Sequence, residues 1–263
     1  EATRYISTAE LTATDTIVCY HNVGRGRGEC ASISRAVGSN VLSSLVPIPL
    51  SSSEISDTSL AAFGSGFAVV CYRDEARQGH GTCTSISARR SDSSSSSAAA
   101  PVELSVAGSA ASVFSPASTR NVVVLNLTPS TGLICYRDAA DGDAATCLAF
   151  AHDQNASSTL RYGPVTVVDS APADYLTMAA FDASRAIVCY GRGCTCSVVL
   201  VEAPSSVSAG PTVTAGAPRA VSTHSARRLS YKAVAALDGS RAVVCFGDES
   251  AGGANTCSAV TRS

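Results

Sequence analysis

The hydrophobic residues of this chain fall into short runs that are typical of β-strands. Segments such as "YLTMAAF" and "YKAVAAL" lead into turns, "DASR" and "DGSR", and a β-branched run ending in Val-Cys-Tyr or a close variant follows each turn. After a polar loop, a second cysteine opens a third strand, and a Ser- or Gly-rich connection leads to a fourth. No window sustains a period of 3.6 residues, and Gly, Pro and Ser recur too often for helices of ordinary length. The pattern predicts an all-β protein.

The pattern recurs in five copies along the chain. The copies align on their first cysteines, which are Cys19, Cys71, Cys135, Cys189 and Cys245. Units of about 50 residues with four short strands match the size of a β-propeller blade. We therefore expect one domain over residues 1–263, a five-bladed β-propeller, with blades at about 1–53, 54–111, 112–171, 172–222 and 223–263. The expected innermost strands are "YISTAEL", "DTSLAAF", "NVVVLNL", "YLTMAAF" and "YKAVAAL". A linear stack of β units and a two-sheet sandwich are the alternatives.

The cysteines of each copy border the hairpin between its second and third strands. Neighbouring antiparallel strands bring opposed α-carbons within the separation that a disulfide requires, about 4.4 to 6.8 Å. The sequence thus predicts one hairpin disulfide per blade: Cys19–Cys30, Cys71–Cys83, Cys135–Cys147, Cys189–Cys196 and Cys245–Cys257. Cys194 is left unpaired, and we expect a free thiol at a loop tip. An intermolecular disulfide, a small cap and pairing with Cys189 are alternatives for Cys194.

The motif that runs from Val-Cys-(Tyr/Phe) to Thr-Cys carries a resemblance. The copies resemble the cysteine-paired propeller repeats of secreted proteins of microalgae and other protists. The resemblance covers almost the whole chain and implies an architecture, with nothing about activity. Trp is absent, and so are the Gly-His and Trp-Asp signatures of WD repeats, so that family is not indicated.

Composition narrows the compartment and the partners. Eleven cysteines beside one Met and no Trp favour disulfides formed in an oxidising compartment, so we expect an extracellular or cell-surface protein. The formal charge is −2 and charged residues are 15% of the chain, which leaves no broad basic surface for nucleic acid. No segment approaches the roughly 18 apolar residues of a membrane span. The chain starts at Glu1 without a signal segment, so we expect a removed leader or a longer parent chain.

No catalytic group, metal site or cofactor is predicted. The four His residues lie far apart, and the cluster of Cys189, Cys194 and Cys196 has no neighbouring His and already contains a predicted disulfide. A glycosidase needs a pair of carboxylates. The inner strands offer Glu10, with Asp57 and Asp174 at strand entrances, and their spacing does not identify a pair.

One set of charged residues recurs after the aromatic residue of the repeat. Its members are Arg73, Asp74, Arg137, Asp138 and Asp248. A ring would place them together on one face, where they could bind sugar hydroxyls or a cation. The alternative is that these Arg and Asp side chains pair with one another, within or between blades. Asn126 and Asn155 begin Asn-x-Ser/Thr sequons and are candidate N-glycosylation sites.

The last copy stops after its third strand, "TCSAVT", so the last blade is expected to lack its outer strand. The exposed strand edge would accept a strand from another copy or another extracellular protein. The leading prediction is a non-enzymatic extracellular structural or adhesive building block that self-associates into fibrils or a surface layer. The alternatives are a lectin-like propeller that binds glycans and, less favoured, a glycoside hydrolase.

Overall fold

The protein is all-β, as predicted. The computed structural model describes residues 2–36, 41–64, 66–90, 102–153, 157–204, 206, 208–221, 229–248 and 254–261. Within these ranges the regular elements are 21 β-strands and one 3₁₀ turn, η1 at Glu75–Arg77.

The strands are numbered in chain order. The first eleven, β1 to β11, are Thr3–Thr12, Asp15–Asn22, Arg27–Arg35, Leu42–Ser44, Ile48–Pro49, Ile55–Ala62, Phe67–Asp74, His80–Arg90, Val102–Thr128, Thr131–Asp138 and Ala144–Asp153. The remaining ten, β12 to β21, are Ser157–Tyr162, Thr166–Pro172, Thr177–Ala180, Arg185–Tyr190, Thr195–Glu202, Thr212–Ala215, Arg219–Ala220, Leu229–Ala236, Arg241–Asp248 and Ala254–Thr261.

The chain divides into two compact units. The first unit comprises Glu1–Pro116 and Asp153–Thr159, and the second comprises Ala117–His152 and Leu160–Ser263. The long strand β9 contributes residues to both units. The single domain and its five blades stay predictions.

Each copy of the repeat forms an antiparallel meander. In the first unit, β1, β2 and β3 pair in order, as do β6, β7 and β8, and β8 also pairs with β9. In the second unit, β10 pairs with β9 and β11, β14 to β16 pair in order, and β19, β20 and β21 form a three-stranded sheet. Each expected innermost strand thus lies at the start of one meander.

The expected outer strand is divided in three of the copies. Two short strands pair with the third strand of the copy: β4 and β5 with β3, β12 and β13 with β11, and β17 and β18 with β16. A proline lies in each gap, namely Pro47, Pro164 or Pro218. Because proline has no N–H to donate, it interrupts the ladder, so the single outer strand expected in these copies is wrong.

The hairpin disulfides staple the second and third strands. Cysteines of each pair lie directly opposite each other in the ladder, with α-carbons 4.0 to 4.1 Å apart. The pairs are Cys19–Cys30, Cys71–Cys83, Cys135–Cys147, Cys189–Cys196 and Cys245–Cys257. In the second unit, apolar side chains of the third and fourth meanders form one buried cluster, and those of the fourth and fifth form another.

An irregularity recurs in the innermost strands. Among the described residues, four other than glycine have left-handed backbone angles there: Tyr5, Asp57, Asn121 and Tyr175, with φ between 49° and 55°. Each lies two residues before the residue that pairs with the first cysteine of its copy. The ladder shifts register at this position in β1, β6 and β9. Such bulges re-aim the neighbouring side chains, and here they occur at the end of the strand that faces the hairpin loops.

Candidate functional site

A charged cleft lies in the second unit, where Arg137 binds two carboxylates. Its guanidinium donates to Asp143, in the hairpin between β10 and β11, and to Asp174, just before β14. Arg192, in the hairpin after β15, donates from Nε to Oδ2 of Asp174 at 3.0 Å. Asp174 therefore accepts from one arginine of the third copy and one of the fourth.

Local backbone structure fixes both carboxylates. Asp143 has a left-handed φ of 67°, and its carbonyl accepts from the N–H of Ala173 at 2.9 Å. Asp174 directly precedes Tyr175, which has a left-handed φ of 55°, and the carbonyl of Asp174 accepts from the N–H of Gly191 at 2.8 Å. The backbone thus ties the two hairpins to the segment that carries Asp174.

The cleft has a volume of about 510 Å³ and is lined by Arg137, Asp143, Pro172, Asp174 and Arg192. The hydrogen bond from Arg137 lowers the pKa of Asp143 below its ordinary value of 3.8, and the positive charges of Arg137 and Arg120 act in the same direction against burial. Asp143 is therefore ionised at neutral pH. The cleft presents carboxylate acceptors beside guanidinium donors.

An aromatic ring and an amine lie next to the cleft. The side chain of Tyr175 is 43% exposed, and Nζ of Lys232 lies 5.2 Å from the centroid of its ring. The same amine donates to the carbonyl of Gly191. Burial lowers the pKa of Lys232, and the nearby Cys194 and Asp174 oppose this effect. The arrangement is a cation–π contact at the edge of a polar site.

Cys194 lies beneath this region. It is unpaired, as expected, but it is fully buried rather than exposed at a loop tip. It packs in the cluster that contains Cys189 and Cys196, and burial raises the pKa of its thiol. A buried thiol is inaccessible to another chain, so the structure gives no support to an intermolecular disulfide.

The predicted set of Arg and Asp side chains has local partners in the first unit. In the first unit, Arg73 pairs with Glu75 at 3.3 Å, and Asp74 accepts from the N–H of Ala76 at 3.1 Å and pairs with Arg77 at 3.6 Å. Arg73 and Asp74 thus pair with Glu75 and Arg77 and not with each other, and their role in binding stays a prediction.

Of the remaining predicted residues, Arg137 alone lines the cleft. Asp138 accepts from the N–H of Ala140 at 3.0 Å and, as the next residue of the strand, points to the other face of β10. Asp248 ends β20, and its side chain lies outside the described residues, as does Asn155. Asn126 is exposed in β9, and its glycosylation stays a prediction.

The sequence interpretation missed Asp143, Tyr175 and Arg192, and it named Asp174 only as a weak glycosidase candidate. The usable signal was the charge of two successive hairpin loops: "AADGDAA" contains Asp and no Arg, and "GRGC" contains Arg and no Asp. In the described part of the chain, no group of three His, Cys, Asp or Glu side chains could hold a metal ion. No helix of that part is long and apolar enough to cross a membrane.

Comparison with known proteins defines the fold in outline. No protein-family model matches the chain, and no curated protein matches it in sequence. Among solved structures it is similar to the BP39L lectin of Burkholderia pseudomallei, with 14% identity and a TM-score of 0.61 over 97% of this chain and 66% of that one. It is also similar to a mutant of AofleA from Arthrobotrys oligospora, with 8% identity and a TM-score of 0.54 over 95% and 67% of the two chains.

The structural neighbours have β-propeller folds, so the likeness places this all-β chain beside them in fold alone. The chain spans about two thirds of the length of these two neighbours. The Hadza microbial sialidase Hz136 matches with 10% identity and a TM-score of 0.49 over 99% of this chain and 52% of that one. The closure of the ring and the blade number stay predictions.

Proposed function

We propose that this chain is a lectin-like carbohydrate-binding protein and that the cleft around Asp174 is its sugar site. The observation that carries the proposal is the position of Asp174, held between Arg137 and Arg192 beside the exposed ring of Tyr175. The similarity in fold to a Burkholderia lectin supports it. The five disulfides favour an extracellular setting, where glycans are abundant.

The chemistry of the cleft suits sugar hydroxyls, which donate and accept hydrogen bonds at once. Asp143 and Asp174 supply acceptors, and the 66% exposed side chain of Arg192 supplies donors. The ring of Tyr175 offers an apolar face to the C–H side of a sugar. Because ion pairs already fix the carboxylates, a ligand loses less affinity to side-chain ordering.

Glycan-array binding followed by titration calorimetry tests the proposal. We expect the wild-type chain to bind a defined set of sugars, and Arg192→Ala to weaken binding by about tenfold, because it removes charged hydrogen-bond donors. Arg241→Ala is the matched control, since Arg241 is 63% exposed and also pairs with an aspartate, Asp238, outside the cleft. Failure to bind any sugar, or equal losses in the two variants, would contradict the proposal.

The structural role predicted from the sequence is a second candidate. In the described part of the chain, β21 pairs with β20 alone and most of its side chains are exposed, which supports a strand edge that another chain could extend. Electron microscopy of unreduced protein tests it, with Asn255→Lys on β21 to block the edge and Thr8→Lys on β1 as control. Fibrils that Asn255→Lys alone abolishes would support assembly, and monodisperse monomers at high concentration would exclude it.

A further inference from the structure

We propose that the sugar bound at the cleft is acidic and carries a carboxylate group. This inference rests on the proposed function and names the class of saccharide. It comes from the balance of charge around Asp174 and from the orientation of the arginine side chains.

Two arginines lie directly opposite each other beside the cleft. Arg120 on β9 is the ladder partner of Arg137 on β10, so both side chains project from the same face of the sheet. Like charges in this arrangement repel, which destabilises the sheet unless anions lie nearby. Arg137 has Asp143 and Asp174, whereas Arg120 makes no ion pair within the described residues and acts on Asp143 only through its charge.

The fourth and fifth copies add two more cations. Arg192 uses Nε for Asp174, and its two terminal nitrogens have no partner in the described part of the chain. Lys232 lies close enough to Asp174 for the two charges to interact. Four cations therefore surround two carboxylates.

Neighbouring carboxylates do not cancel this excess. Asp138 points to the other face of β10, and Asp141 does not line the cleft. Asp169 lies in the same row of the sheet as Arg137, opposite Ala145, where it accepts from the N–H of Ala171 at 2.9 Å. Even with Asp169 counted, four cations face three carboxylates, in a chain whose formal charge is −2.

The unused nitrogens of Arg192 have the geometry that a carboxylate requires. A guanidinium binds a carboxylate through two parallel hydrogen bonds, and such charge-assisted bonds are about twice as strong as neutral ones. A ring carboxylate in this position would leave the hydroxyls of the same sugar within reach of Asp143 and its apolar face near Tyr175. An uncharged sugar would leave the excess positive charge without a counterpart.

A matched pair of probes tests the inference. An array carries uronic-acid and sialic-acid oligosaccharides, each beside the same oligosaccharide after reduction of its carboxyl groups to alcohols. The wild-type chain is then bound to this array. We expect at least one acidic probe to bind about tenfold more tightly than its reduced form. We also expect the affinity for the acidic probe to fall as NaCl rises from 50 to 500 mM. The affinity for the reduced probe should stay the same over this range.

Arg120→Gln separates charge from direct contact, because Arg120 does not line the cleft. We expect it to weaken binding of the acidic probe about threefold while the reduced probe keeps its affinity, and we expect Arg241→Gln to change neither. Equal binding of acidic and reduced probes would overturn the inference and leave the proposed function intact. Absence of binding to every sugar, neutral or acidic, would reject the proposed function itself.

Discussion

At the scale of single residues, Asp182 closes the turn between β14 and β15. Its carboxylate accepts from Nε of Arg185 at 2.6 Å and from the N–H of Ser184 at 2.9 Å. These contacts, chiefly the one from Arg185, lower the pKa of Asp182 to about 2 from an ordinary 3.8. Because the folded-state pKa is the lower one, the stabilisation is complete above about pH 4 and is lost as the pH falls through about 2.

Asp182→Asn should therefore lower the free energy of unfolding at pH 7 by about 1 kcal/mol and have little effect at pH 2. Urea denaturation at the two pH values measures the difference. Asp141→Asn is the control, because the Asp141 side chain makes no hydrogen bond in the described part of the chain. A loss of stability in Asp182→Asn that is the same at both pH values would show that the charge plays no role.

Cys194 provides a second test at this scale. It is fully buried, and burial raises the pKa of its thiol, so little reactive thiolate is present and little of it is accessible. We expect maleimide to label one thiol per chain in denaturant and to label the native protein at least about tenfold more slowly. Rapid labelling of the native protein would show that the hairpin opens. No labelling in denaturant would show that Cys194 is oxidised.

At the scale of elements, the recurring bulge imposes a backbone angle on residues that disfavour it. Tyr5 has a φ of 52°, which costs a residue with a side chain about 1 to 2 kcal/mol and a β-branched residue more. We expect Tyr5→Gly to be more stable than Tyr5→Val by about 1 kcal/mol, although both variants lose the same ring. Thermal and urea unfolding give the comparison.

Thr8 supplies the control for the bulge, since it is exposed on the same strand and pairs regularly with Val18. There the order should reverse, with Thr8→Val more stable than Thr8→Gly by about 0.5 to 1 kcal/mol. The same order at both positions would mean that Tyr5 is not strained in solution.

The elements themselves were largely predictable from the sequence, whereas the positions with left-handed backbone angles were predictable only in part. The β-branched run before each cysteine and the Asp turns locate the strands, because both follow from local preferences. Pro47, Pro164 and Pro218 also carry a local signal for the divided outer strands, because proline cannot donate to the ladder of a sheet. Among the residues with left-handed backbone angles, Asp57 and Asn121 belong to types enriched in that conformation, whereas Tyr5 and Tyr175 give no such signal.

At the scale of the whole chain, the candidate site depends on contacts between copies. The sequence indicated Arg137 because its position repeats, yet Asp174 and Arg192 lie 37 and 55 positions further on and meet it only through packing of the second unit. A repeat predicts equivalent positions and does not predict which side chains of neighbouring copies will touch. A common binding face for Arg73, Asp74, Arg137, Asp138 and Asp248 stays a prediction, and among the described side chains of this set only Arg137 lines the cleft.

Comparison of equivalent positions predicts one sugar site per chain. The position of Arg137, two residues after the first cysteine, is occupied by His21, Arg73, Gly191 and Gly247 in the other copies. The position of Asp174, three residues before the ladder partner of the first cysteine, is occupied in the other copies by Arg4, Ser56, Arg120 and Ser230. At these two positions, an arginine in one copy is followed by an aspartate in the next copy only once along the chain. The charged cleft is therefore not repeated.

Titration calorimetry with a monovalent sugar should accordingly give a stoichiometry near one, and not near the five copies of the repeat. Five equivalent sites would instead require that the sugar binds residues common to all copies, such as the aromatic after each first cysteine. Arg192→Ala would then remove at most one site.

A single site also limits each chain to monovalent attachment. Strong adhesion to a glycan surface would then depend on association of several chains, because avidity arises only when linked sites bind together.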